Sequence, residues 1–159
     1  MNRRTLTKSA LFFPIGWLVG CTAAQISQAE NDATAVADGI AGILPSISTI
    51  TGLAGGAYDT VVKAENAIKS AASALLTATG GAAIDAANAI PTALAAIGAA
   101  IGNFKVPAWV STVLAAAQTI VPIILQAVGA ATGGLAAMAP TGMSVAQARA
   151  ILKAAAAGA

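Results

Sequence analysis

Residues 26–50 read ISQAENDATAVADGIAGILPSISTI. The apolar stripe runs Ile26, Ala29, Ala33, Val36, Ile40, Ile43, Ile47, Ile50, in alternating steps of three and four. Such steps keep one side chain per turn on the same side of an α-helix, whereas a strand repeats every two residues. The spacing therefore predicts a helix with one buried face. Glu30, Asp32 and Asp38 lie largely off the stripe. Pro45 is expected to end or kink the helix, because proline lacks an N–H and crowds the preceding turn. Gly52, Gly55 and Gly56 then make a connector.

The same periodicity returns three times. A second stripe holds Tyr58, Val61, Val62, Ile68, Ala72, Leu75 and Leu76, with Asp59, Lys63, Asn66, Ser70 and Ser73 on the other side. Gly80 and Gly81 stop it. A third carries Ile84, Ala87, Ile90, Leu94, Ile97, Ile101 and Phe104, disturbed at Pro91 and broken over residues 103–107. The fourth starts near Pro107, a residue suited to a first helical turn, and shows Val110, Val113, Ala117, Ile120, Ile124 and Val128. Ser111, Gln118, Pro122 and Gln126 lie opposite. After a small, loose segment over residues 129–142, Ser144 and Gln147 have capping-box spacing for a last helix with Ala148, Ile151 and Leu152 beside Arg149 and Lys153.

Short joints favour antiparallel neighbours, and alanine lets helices approach closely. The expected fold is all-α: an antiparallel bundle of about four amphipathic helices plus a short C-terminal helix. Composition agrees. The 159 residues are 57% hydrophobic and only 9% charged, against a usual charged share of about 25%. Roughly a quarter of the chain is alanine.

The N-terminus has a different character. MNRRTLTK is basic, residues 11–19 are apolar but interrupted by Pro14 and Gly16, and small residues follow. These are the parts of a secretory signal, and the apolar run falls short of the ~20 residues that span a bilayer. Leu18, Val19, Gly20 and Cys21 then resemble the lipobox of bacterial lipoproteins. That resemblance implies diacylglycerol transfer to the Cys21 thiol, cleavage before Cys21, and acylation of the new amine. A thiolate is the natural nucleophile for the first step. Residues 2–8, NRRTLTK, are also similar to the twin-arginine export motif through Arg3, Arg4, Leu6 and Lys8, with Asn2 and Thr7 departing from it. The general secretion route and the twin-arginine route both stay open. The chain as a whole looks like short alanine-rich lipoproteins of alphaproteobacteria and their phages, a group without an established activity.

This divides the chain into a signal peptide at 1–20, a lipidated cysteine and tether at 21–28, and a bundle at 29–159. The formal charge of +2 changes meaning accordingly. Three of the eight basic residues, Arg3, Arg4 and Lys8, precede Cys21, whereas all six acidic residues follow it. The mature chain then has five basic and six acidic side chains, and its charge gives no nucleic-acid signal. Thr22 stands where lipoproteins held at a Gram-negative inner membrane tend to carry Asp, so the resemblance implies the periplasmic face of the outer membrane over the inner.

Chemistry is sparse. There is no histidine, and the one cysteine is committed to lipid, so no zinc set or thiol nucleophile is expected. The glycine pairs lack a phosphate-binding fingerprint. Asp59 and Lys63 have the spacing of a solvated i,i+4 pair. The acidic residues are scattered along the chain, and a carboxylate pair of Asp59 with Asp85 is not expected. The joint from Asn103 to Trp109 places two aromatics beside Lys105, either as a contact site or as a plug at a bundle end. No catalytic, cofactor-binding or metal residue is expected, and the membrane, reached through the anchor, is the expected partner beside an unidentified protein.

Pro107 to Met138 contains no charge and is long enough to span a membrane. Its content of small residues, and Gln118 and Gln126 on one side, speak against a helix apolar all round. The GxxxG spacings at Gly52/Gly56, Gly98/Gly102 and Gly129/Gly133 arise readily in a chain this rich in glycine. The expectation is a non-enzymatic, membrane-tethered lipoprotein with a structural or interaction role, phage- or host-encoded. The alternative is a membrane-inserting protein of holin or pore type, retaining its N-terminus and inserting residues 81–138.

Overall fold

A computed structural model describes residues 23–50, 52–53, 55–129 and 142–158. They form five α-helices: α1 (Ala23–Ser48), α2 (Gly56–Leu75), α3 (Gly81–Ile101), α4 (Ala108–Ala127) and α5 (Val145–Ala156). Among the described residues there is no strand. The chain folds as an all-α bundle.

Each helix follows from its apolar repeat. In α1, Ala29, Ala33, Val36, Ile40, Ile43 and Ile47 are buried, and the helix continues through Pro45 to Ser48. Pro45 is exposed, so the hydrogen bond its ring removes is lost on the solvent side. Two side chains then take up carbonyls that the helix end leaves unpaired: the Ser48 hydroxyl donates to Pro45 O at 2.6 Å, and Thr49 donates to Ser46 O at 2.8 Å. Pro91 and Pro122 likewise sit inside α3 and α4 without ending them. The joints depend on glycine where the backbone turns left-handed. Gly55 (φ 88°) and Gly80 (φ 58°) precede α2 and α3, and a side chain at either would be strained.

The packing is a ring. Helix α1 packs on α2, α2 on α3, α3 on α4, and α4 back on α1, while α5 seals the seam between α1 and α4. Short joints between successive neighbours make α1 to α4 alternate in direction. The joint before α2 and the joint before α4 therefore share one end, and a Cβ at Gly52 would indeed lie 3.7 Å from the Phe104 ring. The opposite end gathers the start of α1, the end of α2 and the start of α3. Ile40, Ile43, Ile47, Ile68, Ile90, Leu94, Ile97, Ile120, Ile124 and Leu152 are fully buried between the helices. Burying each such side chain contributes about 1.5–3 kcal/mol, so the stripes account for the fold without recourse to helix propensity alone.

Candidate functional site

Arg3, Arg4, Leu18, Val19, Gly20 and Cys21 lie outside the described residues, which begin at Ala23. Residues 23–28, read as tether, form the first turns of α1; those from 24 to 28 are exposed. Only Thr22 separates Cys21 from α1, a reach of at most about 7 Å over two residues.

The acidic side chains separate into two groups. Asp59 and Asp85 are exposed on α2 and α3, and Asp59 forms no ion pair with Lys63. The paired acid of α2 is Glu65, 3% exposed, in contact with Lys69 one turn on. Its buried Oε1 is the atom that meets the Lys69 ammonium, so the carboxylate is neutralised where it enters the core. Among the described residues no three His, Cys, Asp or Glu side chains come together as a metal site would require.

At the other end the aromatic joint is a plug. Phe104, Val106 and Trp109 are partly buried against the core, and Lys105 is exposed. Shallow grooves flank it. One of about 410 Å³ lies between α3 and α4, bounded by Gly98, Phe104, Val106, Leu114 and Gln118. Gln118, expected to face water, is half-buried there, whereas Gln126 is exposed. The other, about 270 Å³, lies between Trp109 and Val113 of α4 and Ile151 and Ala154 of α5. Among the described residues no ionisable side chain lines either groove; the α4–α5 groove is mainly apolar, whereas Ser111 and Gln118 make the α3–α4 groove partly polar.

The most organised polar arrangement is one the sequence did not disclose. Asp32, placed off the stripe by its pattern, is 2% exposed. Its carboxylate accepts from Arg149 Nε at 2.8 Å and Nη2 at 2.7 Å, and from Gln28 Nε2 at 3.1 Å. This bidentate fork is the strong geometry for a guanidinium and a carboxylate. The hydrogen bond to Asp32 raises the Arg149 pKa further above its ordinary value, against a smaller opposing effect of burial. The pair joins α5 to α1 across a separation of 117 residues. Beside it the helices nearly touch. A Cβ on Gly39 would lie 2.8 Å from Leu152 Cδ2, and one on Gly42 would lie 2.0 Å from the Ala155 carbonyl oxygen. Positions 32, 39 and 42 thus meet 149, 152 and 155 in order, so α5 runs parallel to α1. By contrast, Cβ atoms at Gly56 and Gly98 would meet nothing within 4 Å, and those GxxxG spacings mark no close crossing.

A signal for Asp32 existed. It stands three residues after Ala29 and four before Val36, at the edge of the stripe. Its partner could not be read, because nothing local links residue 32 to residue 149. The capping box, a local motif, was legible: Gln147 N–H donates to Ser144 Oγ at 3.2 Å and Ser144 N–H to Gln147 Oε1 at 3.0 Å.

Compared with known proteins, the chain matches no family model, no curated protein and no solved structure. Among the described residues two helices, α3 and α4, are long and apolar enough to cross a membrane by length and composition.

Proposed function

We propose that this chain is a non-enzymatic lipoprotein, anchored in a membrane by acylation of Cys21 and carrying its helical bundle as a structural or interaction module. The observation that supports it is the register of the N-terminus: basic residues with Arg3 and Arg4, an interrupted apolar run, then Leu18-Val19-Gly20-Cys21. A domain that follows the cysteine almost at once fits this reading, since α1 begins at Ala23. With acyl chains contributing about 0.8 kcal/mol per buried methylene, three of them hold a domain without any spanning helix. The export signal and Thr22 assign it to the periplasmic face of the envelope, the outer membrane ahead of the inner. Labelled palmitate supplied to expressing cells is expected to appear in the wild-type protein and to be absent from Cys21→Ala. An unlabelled wild-type chain that retains Met1 contradicts the proposal.

The pore-type reading has one observation in its favour, the length and apolarity of α3 and α4. Against it, the large aliphatics of these helices, Ile90, Leu94, Ile97, Ile120 and Ile124, are already buried within the bundle. Insertion would have to exchange those contacts for lipid.

A further inference from the structure

The end of the bundle that adjoins Cys21 differs from the rest of the surface. Two large apolar side chains stand exposed there, Ile26 at 39% and Leu76 at 57%. They come from different helices, the first turn of α1 and the C-cap of α2, yet the antiparallel α1–α2 pairing sets them at the same end. The surrounding residues are uncharged. No Asp, Glu, Lys or Arg occurs in residues 23–29, 70–84, 119–129 or 142–148, which supply this end. Charge begins one level further along, at Glu30, Lys69, Asp85 and Arg149. At the opposite end, Lys105 is exposed in the aromatic joint and Lys153 on the last turn of α5.

We propose that this uncharged end is a lipid-docking face, with Leu76 and Ile26 dipping into the bilayer interface. The inference rests on the reading of Cys21 as a membrane anchor and fixes the orientation that reading leaves open. The occupant follows from where the chain leads. Cys21 lies two residues before α1, too short a link to let the domain stand clear of its anchor. An end held against a membrane must lose water, which is cheap for an apolar, uncharged surface and costly for a charged one. The bundle then stands on this end with its helices rising from the membrane. The Phe104–Trp109 joint and its grooves face away from the lipid, where a protein partner can reach them.

The test couples the full chain through its single thiol, Cys21, to maleimide-headgroup lipid in phosphatidylethanolamine–phosphatidylglycerol vesicles, so it does not depend on acylation in the cell. An environment-sensitive fluorescent amino acid is placed at position 76 or at position 105. Docking gives a blue-shifted emission at 76, quenched several-fold more by doxyl-labelled lipid than emission at 105, while aqueous iodide quenches 105 more strongly. Equal iodide access at the two positions overturns the proposal. Shielding of position 76 that is already complete without vesicles also overturns it, because the chain itself or a second copy then covers Leu76. Failure of palmitate labelling in cells, with docking intact on vesicles, removes the lipoprotein reading and leaves the face.

Discussion

Removing Arg149 would leave the Asp32 carboxylate buried with Gln28 as its remaining side-chain donor. Breaking a buried pair from one side is costly, and the 38% exposure of Arg149 moderates it. Arg149→Ala is expected to lower stability by about 2–3 kcal/mol in urea denaturation, and adding Asp32→Ala should recover most of that loss. A double variant no more stable than the single one would mean that the pair does not clamp α5. The two glycines beneath α5 give a second test at single positions. Gly42→Ala drives a methyl into the Ala155 backbone, which has no rotamer with which to yield. It should release α5, seen as lost amide protection over residues 148–156, while Gly98→Ala in open space should be neutral or stabilising by up to about 1 kcal/mol. Similar exchange in both variants would contradict the close crossing.

The helices themselves rest on their stripes. Ile97 is fully buried on α3, whereas Asp85 on the same helix is exposed. Ile97→Asp places an unpaired charge among apolar side chains and should abolish the helical circular dichroism of the folded state, while Asp85→Ala should leave the melting curve in place. Equal tolerance would mean that the buried face has been misassigned. This is also where the sequence was most readable. Ala29 through Ile47, Ala87 through Ile101 and Val110 through Ile124 were identified from spacing and are buried at the positions named. Spacing failed where helix count changed the geometry. Helix α1 meets α2, α4 and α5, so its buried arc widens beyond one stripe to take in Asp32 and Gly39. Helix α4 similarly buries Leu114, Val121 and Leu125 beyond its stripe. Ile26 and Leu76 failed in the other direction. The repeat continues to the ends of the helices, where Ile26 and Leu76 are only partly covered, 39% and 57% exposed.

At the scale of the whole molecule, what holds the fold is separate from the proposed membrane attachment. The fold is a ring of four helices closed by a fifth, with its large aliphatics facing inward. Attachment through Cys21, with a lipid-facing end beside it, is what we propose. Such an anchor would gain about 0.8 kcal/mol per buried methylene and leave the bundle intact, whereas insertion of α3 and α4 would require the bundle to open. These two states differ in one property that a single fractionation reads. Membranes from cells expressing the wild type and Cys21→Ala are washed with alkaline carbonate, and the protein is followed in pellet and supernatant. Wild-type protein is expected in the pellet, and Cys21→Ala in the supernatant as a folded helical protein. Cys21→Ala that stays in the carbonate-washed bilayer, and that makes liposomes leak dye, would contradict it.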